Sequence, residues 1–437
     1  PEHEHIRLYE LLGDNLGWTI GGVEAYQKAL AGWRQHKVQD PLTGARLLRK
    51  ILICYTRGSC YETLGTEYLQ GWRAEARQLV EQSGDEEELW RLRVVDLFAK
   101  RILRKGPSYE ELRNVGQAAV SYFEQRSNWL AVSEALDGFA GISFEMGAFT
   151  DALAASQRRL AIPHLSALEY GDALHMAAYG YANLEEYDRC IALVGNELDR
   201  LRPGQPVLHM AMAFADASFI ACCTGQWKIM DTCMRRADML QIEMQYDAPY
   251  FYPYYLAALS IASAREDQAT YDAFLARIQQ VMQRYLKPDL QIFLHALCTG
   301  DLQTARQVEL HKMSYSGLYL LFLCNEEGVV LVPECLDASL SGREDQDSSG
   351  KTLTAFRWAY EIARALAADD NTWLACAIDQ AEQHQLIVHA ARMRILLAQR
   401  SGDDTQLERA RPVLERLQDR RSLRKLQEVE RALGQRL

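Results

Sequence analysis

The residues with the most direct chemical potential are a Gly-Lys-Thr triplet at 350–352, which is how a phosphate-binding loop ends. Such a loop also needs a glycine five residues before Gly350, because its backbone amides must wrap the phosphate. Asp345 stands at that position, and Glu344 and Asp347 lie beside it. Their carboxylates repel phosphate, so the sequence argues against a nucleotide site.

Metal ligands and nucleophiles are the next chemical classes. His3 and His5 are two residues apart, but they lie at a terminus, where chains fray. His384 and His389 are five residues apart, so they do not share a helix face as the histidines of a zinc-binding helix do. The chain has no Gly-x-Ser-x-Gly elbow and no cysteine in a catalytic signature. The sequence therefore predicts no catalytic residue, no metal and no cofactor, and it favours binding without catalysis.

Binding residues need elements that position them, and the stretch 128–162 indicates which elements these are. Gly147 separates two runs of apolar residues at helical spacing. The first run is Leu130, Val132, Leu136, Phe139, Ile142 and Phe144, and the second is Phe149, Ala152, Leu153 and Leu160. A helix–turn–helix unit of about 34 residues is typical of a solenoid. Neither helix can bury its apolar stripe alone, so the unit requires similar units on both sides.

This unit resembles a tetratricopeptide repeat. The resemblance rests on the small residue at the turn, Gly147, on the aromatic Phe149, and on the run Asp151–Leu153. Weaker copies occur at Tyr26–Leu30, Glu185–Ile191, Gly225–Trp227 and Gly300–Ala305. The turns centred on Gly147, Glu185, Gly225, Glu266 and Gly300 are separated by 38, 40, 41 and 34 residues. These long, divergent repeats are similar to the tetratricopeptide-like sensor regions of bacterial signalling ATPases and transcription activators.

The resemblance implies an all-α fold, a right-handed α-solenoid of antiparallel helix pairs. It also implies that the first helix of each pair lines a concave groove, where its outward residues meet a ligand. Projecting back from the turns by helical spacing yields the candidate binding residues: Asp137, Asp172, His175, Tyr179, Asn183, Phe219, Tyr252 and Tyr255. Aromatic anchors with a few polar groups suit a peptide or small-molecule site. The alternative for Phe219 and the tyrosines is simple packing between repeats.

The repeat pattern predicts three segments. Residues 1–312 form a tetratricopeptide-like array, 313–350 a degenerate repeat with an exposed acidic loop, and 351–437 further repeats with a capping helix. Pro249 and Pro253 predict a turn-like entry into a helix near an aromatic run at 246–255. The cations of the last helix are Arg420, Arg421, Arg424 and Lys425. We interpret them as a solvated capping face, with binding of an acidic partner as the alternative.

Composition limits the partners. The net charge is −11, which argues against direct nucleic-acid binding, because a face that contacts phosphates should be basic. No run of eighteen apolar residues exists, so the sequence predicts no membrane span. The ten cysteines include no Cys-x-x-Cys pair, and most lie in apolar helical stretches. This usage fits small core residues in a reducing compartment, and we predict a cytoplasmic location.

The leading functional hypothesis is a non-catalytic recognition scaffold whose concave groove binds a protein segment, a peptide or a small effector. The resemblance and the absence of an initiator Met suggest the sensor or interaction region of a larger signalling or transcriptional regulator. A second hypothesis is a stand-alone adaptor that assembles a protein complex. A third is an all-α enzyme with an active site in the groove, for which Asp172 and His175 are the best candidates.

Overall fold

Helices dominate the part of the chain that the computed structural model describes. That part comprises residues 2–35, 40–57, 60, 64–103, 107–200, 208–240, 252–283, 295–296, 298–303, 314–330 and 357–435. These residues form twenty helices and no strand. The prediction of an all-α chain is therefore confirmed for the described residues. None of their helices is both long enough and apolar enough to cross a membrane.

The chain divides into an N-terminal unit, Pro1–Ala173, and a C-terminal unit, Leu174–Leu437. The first helices are α1 (Glu2–Leu16), α2 (Ile20–Gln35), α3 (Pro41–Arg57), α4 (Glu67–Ser83), α5 (Glu86–Leu103), α6 (Tyr109–Gln125), α7 (Trp129–Glu145), α8 (Phe149–Leu160) and α9 (Ala167–Asn183). The boundary between the units falls within α9. The predicted limits at 312 and 350 stay predictions, since residues 304–313 and 331–356 lie outside the described part.

The remaining helices belong to the C-terminal unit. They are α10 (Tyr187–Arg200), α11 (Leu208–Cys223), α12 (Trp227–Leu240), α13 (Tyr252–Arg265), α14 (Gln268–Gln283), α15 (Ser314–Glu326), α16 (Arg357–Ala367), α17 (Asn371–Gln383), α18 (Ile387–Ser401), α19 (Thr405–Leu417) and α20 (Arg420–Gly434). Pro253 occupies the first turn of α13, where a missing amide donor costs nothing. The Gly-Lys-Thr triplet at 350–352 lies outside the described residues.

The predicted turns share one backbone geometry. All five turn centres have a positive φ, between 57° and 75°: Gly147, Glu185, Gly225, Glu266 and Gly300. At the first, the amide of Ala148 donates to the carbonyl of Ser143 at 2.8 Å, which is the bond that closes a Schellman turn. The equivalent bond recurs at the next three turns, at 2.8–2.9 Å. A left-handed residue therefore ends one helix, and the next helix begins two residues later.

Consecutive helices pack against each other in both units. In the N-terminal unit, α1 packs on α2, α3 on α4, and α7 on both α6 and α8. Helix α7 is buried from Ala131 to Phe144, whereas Leu130, predicted in its apolar stripe, is half exposed. Small residues allow this close covering, since a side chain at Gly138 would collide with Leu97 of α5. A helix that is buried all round has no face left for a ligand.

The C-terminal unit also contains contacts between helices that are distant in sequence. Helix α11 packs on α18, and α13 packs on both α15 and α20. In an open repeat array each repeat contacts only its neighbours, so these contacts are additional to that pattern. The surfaces of α11 and α13 are therefore covered in part by helices from the end of the chain.

Candidate functional site

Two predicted binding residues, Asp137 and Asp172, lie in a buried ion network of the N-terminal unit. Its cations are Arg57 of α3 and Arg159 of α8, whose side chains are 2% and 0% exposed. Arg159 lies 2.8 Å from Asp137 and 2.7 Å from Asp172, and Arg57 lies 2.7 and 3.0 Å from the same two carboxylates. Glu169 also contacts both arginines, at 2.5 and 2.8 Å. A partner cannot reach these carboxylates without displacing the arginines. We call these five residues the N-terminal network.

The pKa values of two buried acids in this network shift in opposite directions. Burial raises the pKa of Asp137 to about 6, although Arg159 and Arg57 favour the ionised form. Burial also acts on Glu169, but Arg57 and Arg159 outweigh it, and the pKa of Glu169 is lowered. Two arginines face three carboxylates, so full ionisation leaves one net negative charge in the interior. A proton on one of the three acids removes that charge, and Asp137 is the acid whose pKa is raised, first by burial and then by the charges of Asp172 and Glu169.

Three predicted residues share one face of α9. Nε2 of His175 lies 3.1 Å from Oδ2 of the buried Asp216 on α11. The ring of His175 is 6.4 Å from that of Tyr179. The side-chain amide of Asn183 donates to the backbone carbonyl of Tyr179 at 2.9 Å. Spacing by four residues brings these side chains together, as the helical projection predicts.

The predicted aromatic anchors are core residues where they are described. Phe219 of α11 is 2% exposed, and Tyr255 of α13 is 5% exposed. Tyr255 packs against Phe274 of α14, with ring centroids 6.1 Å apart. Tyr252 begins α13, but its side chain lies outside the described part. Where they are described, these rings therefore follow the alternative interpretation, packing between repeats.

The C-terminal unit contains a site that the sequence pattern did not predict. An open groove of about 400 Å³ lies between the α13–α14 turn and α20. We call it the outer groove, and its main lining residues are Ser263, Glu266, Gln268, Tyr271, Arg421 and Arg424. Its volume falls in the range of ligand-binding sites. Its lining is mostly polar, which suits a solvated segment better than an apolar small molecule.

A smaller cavity adjoins the outer groove, and a second one adjoins the first; we call these two the inner cavities. One of about 40 Å³ shares Ser263 and Arg421 with the groove. The other, of about 30 Å³, shares Ser260 and Tyr319 with the first and extends to His389. Each has room for a few waters and no larger ligand. The outer groove is therefore the part of this site that can accept a partner.

A second set of buried ions lines the inner cavities. Arg392 of α18 lies 2.9 Å from Asp419 and 3.3 Å from Glu326. Burial raises the pKa of Glu326, but Arg392 and His389 outweigh it and lower that pKa to about 2. Asp419 also accepts a hydrogen bond from the amide of Ser422 at 3.0 Å, which caps α20. We call Glu326, His389, Arg392 and Asp419 the C-terminal set; it joins α15, α18 and the start of α20.

His389 is held as a neutral ring. Burial lowers its pKa, although Glu326 acts in the opposite direction. Nδ1 lies 3.4 Å from the Glu326 carboxylate, which can only accept, so Nδ1 carries the proton. Nε2 then accepts from the amide of Asn325 at 3.3 Å. With both nitrogens engaged, this histidine lacks the open acceptor that a general base needs.

The thiols of the inner cavities do not provide a nucleophile. Burial raises the pKa of Cys222 to about 11 and that of Cys223 well above its usual value. A thiol is reactive as the thiolate, which these values disfavour near neutral pH. Within the described residues, no three His, Cys, Asp or Glu side chains come together as a metal site.

The rim of the outer groove is built from ion pairs between α20 and the ends of α13 and α15. Nη2 of Arg421 donates to Glu327 at 2.8 Å, and its Nη1 donates to the hydroxyl of Ser263 at 2.9 Å. Arg424 pairs with Glu266 at 2.8 Å. The cationic cluster of α20 was a visible signal in the sequence, but its partners are about 100 to 160 residues away. The helical periodicity of the sequence alone could not predict these partners.

Comparisons with known proteins identify no relative. No protein-family model matches the chain, and no curated protein or solved structure shows significant similarity to it.

Proposed function

We propose that this chain is a non-catalytic recognition scaffold that binds a segment of a partner protein in the outer groove. The observation that carries the proposal is an open, polar groove of about 400 Å³ where two helix pairs meet the last helix. Its size suits a few residues of an extended segment. Its polar lining offers hydrogen-bond donors and acceptors to the backbone of such a segment.

The lengths of the helices and the left-handed residues at their turns support the resemblance to divergent tetratricopeptide repeats. We propose that they are antiparallel and wind in the right-handed sense of an α-solenoid, as the resemblance implies. By the same resemblance, the chain serves as the interaction region of a signalling or transcriptional regulator. The buried thiols and the fully engaged His389 favour this proposal over an enzyme.

A selection from a random peptide library displayed on phage tests the proposal. The full chain is immobilised, and enriched peptides are assayed against Gln268→Trp, which places a large ring at the exposed rim of the groove. We expect enriched peptides that lose binding to this variant. Gln117→Trp makes the same change at an exposed position of α6 and serves as the control. No enrichment, or peptides that bind Gln268→Trp as well as wild type, would overturn the proposal.

A further inference from the structure

We infer that the outer groove selects an acidic segment, and that Arg421 and Arg424 bind its carboxylates. The inference rests on the proposed recognition function and adds the chemical class of the partner. It follows from the placement of the cations, from their present partners and from the opposite wall of the groove.

The cations stand where the helix itself disfavours them. The first two turns of α20 contain four: Arg420, Arg421, Arg424 and Lys425. The first turn itself contains no acidic residue, and the carboxylate that caps this end, Asp419, is buried and paired with Arg392. The amino-terminal end of a helix carries a partial positive charge, so cations there are unfavourable unless an anion lies nearby. Helix dipole and side chains therefore attract the same ligand charge.

The anions that now neutralise these cations are the chain's own, and they are held loosely. The Arg424 and Glu266 side chains are 65% and 38% exposed, and their single contact is 2.8 Å. The Arg421–Glu327 pair is similarly exposed. Exposed ion pairs of this kind contribute little to stability. An incoming carboxylate can therefore replace Glu266 or Glu327 at small cost.

Each guanidinium also has donors to spare. Arg421 uses one Nη for Ser263 and the other for Glu327 in the described structure. A guanidinium carries five N–H donors in a planar fork that fits a carboxylate. Tyr271 lines the same groove, and a tyrosine hydroxyl can donate to a ligand oxygen. A carboxylate that enters the groove thus meets several donors.

The opposite wall limits where the acidic residues of the segment can lie. Asp267 accepts from the amide of Thr270 at 3.1 Å and from its hydroxyl at 2.7 Å, which caps α14. These bonds lower the pKa of Asp267, so it stays charged and repels a second carboxylate. The partner should therefore carry its acidic side chains on the edge that faces α20. A basic segment would instead meet Arg421 and Arg424, the cations of α20 that line the groove.

The test is fluorescence anisotropy of three hexapeptides with a neutral dye: hexaglutamate, hexalysine and a Gly-Ser sequence. The full chain should bind hexaglutamate best, and more weakly as NaCl rises from 50 to 300 mM. Arg424→Gln should weaken that binding roughly fivefold. Glu266→Gln should strengthen it by a similar factor, because it leaves the guanidinium of Arg424 without a competing carboxylate.

Two controls make the same charge changes on α20 beyond the groove. Arg431→Gln and Glu428→Gln alter exposed residues that do not line it, so they should change the affinity by less than about twofold. Equal effects of Arg431→Gln and Arg424→Gln would overturn the inference, because they would show attraction to the whole helix.

Tighter binding of hexalysine or of the Gly-Ser peptide would also overturn the inference. The recognition proposal would survive that result, because the phage selection detects peptides of any charge. Failure of all three hexapeptides would overturn the acidic preference alone, and failure of the selection would overturn recognition.

Discussion

The two units each bury arginine among carboxylates, but they use the arrangement differently. In the N-terminal network, two arginines with almost no exposure each contact the same three acids. In the C-terminal set, Arg392 stands between Glu326 and Asp419, and small cavities adjoin it. The first arrangement is closed, and one of its acids, Asp137, takes up a proton as the pH falls to about 6. The second adjoins cavities with room for water, and Arg392 pairs with both of its acids, Glu326 and Asp419.

The difference separates a network within the protein core from one that supports the proposed binding surface. Asp137 and Glu169 are buried, so only the arginines of the N-terminal network can balance their charge. In the C-terminal set, Asp419 both pairs with Arg392 and caps α20, the helix that carries the basic wall of the outer groove. The C-terminal set thus positions Arg421 and Arg424 without touching a ligand.

The largest expected effect is on the N-terminal network. Arg159→Met leaves three buried carboxylates with one arginine, and we expect the free energy of unfolding to fall by about 3–5 kcal/mol. Urea denaturation followed by circular dichroism measures it. Arg158→Met changes the neighbouring, half-exposed residue, whose ion pair is on the surface. That control should cost less than about 1 kcal/mol. Similar losses in the two variants would contradict a buried structural role.

A smaller loss is expected in the C-terminal set. Arg392→Met removes the partner of Glu326 and Asp419, and we expect a loss of about 2–3 kcal/mol by the same measurement. The loss is smaller because waters in the adjoining cavities can solvate the freed Glu326. Arg409→Met, at a half-exposed arginine, is the control. A loss larger than that of Arg159→Met would reverse the comparison between the two units.

The helices and turns could be predicted because their signals are local. Apolar spacing on both sides of Gly147 is enough to predict α7, its turn and α8, and a left-handed residue at the turn follows from glycine. Burial of Asp137 could not be predicted in this way. The arginines that contact it come from α3 and α8, which are distant from each other in sequence. In addition, α7 is covered on all sides, so helical periodicity cannot identify an outward face on it.

The outer groove was beyond local patterns for a related reason. It needs the α13–α14 turn beside α20, and these elements are more than 150 residues apart in the chain. The tetratricopeptide pattern predicts contacts between neighbouring repeats only, and by that pattern Phe219 and Tyr255 are the candidate binding residues. The cations at 420–425 were the one indication of this site in the sequence. They lie at the amino-terminal end of a helix, where the dipole disfavours positive charge, and this position indicates an anion nearby more strongly than the number of cations does.

The smallest expected effect tests the proton in the N-terminal network. The pKa of Asp137 is raised from 3.8 to about 6 in the folded chain. Between these values the folded protein holds a proton that the unfolded chain releases, so this acid's contribution to stability falls as pH rises from about 4 to 6. Asp137→Asn removes that dependence, because the amide stays neutral.

We therefore expect Asp137→Asn to be about 1 kcal/mol less stable than wild type at pH 4 and to exceed its free energy of unfolding by about 1–2 kcal/mol at pH 8, because the lost acceptor costs the same at both pH values. The gain is below the full linkage because an amide offers one acceptor oxygen where a carboxylate offers two. Urea denaturation at both pH values measures it, and the difference between the two proteins cancels the opposite pH dependence of Glu169. Asp151→Asn, at a surface acid of α8, should show no such difference. A variant that is less stable than wild type at pH 8 would mean that the fold does not raise the pKa of Asp137, and that Arg57 and Arg159 stabilise its ionised form as Arg392 stabilises that of Glu326.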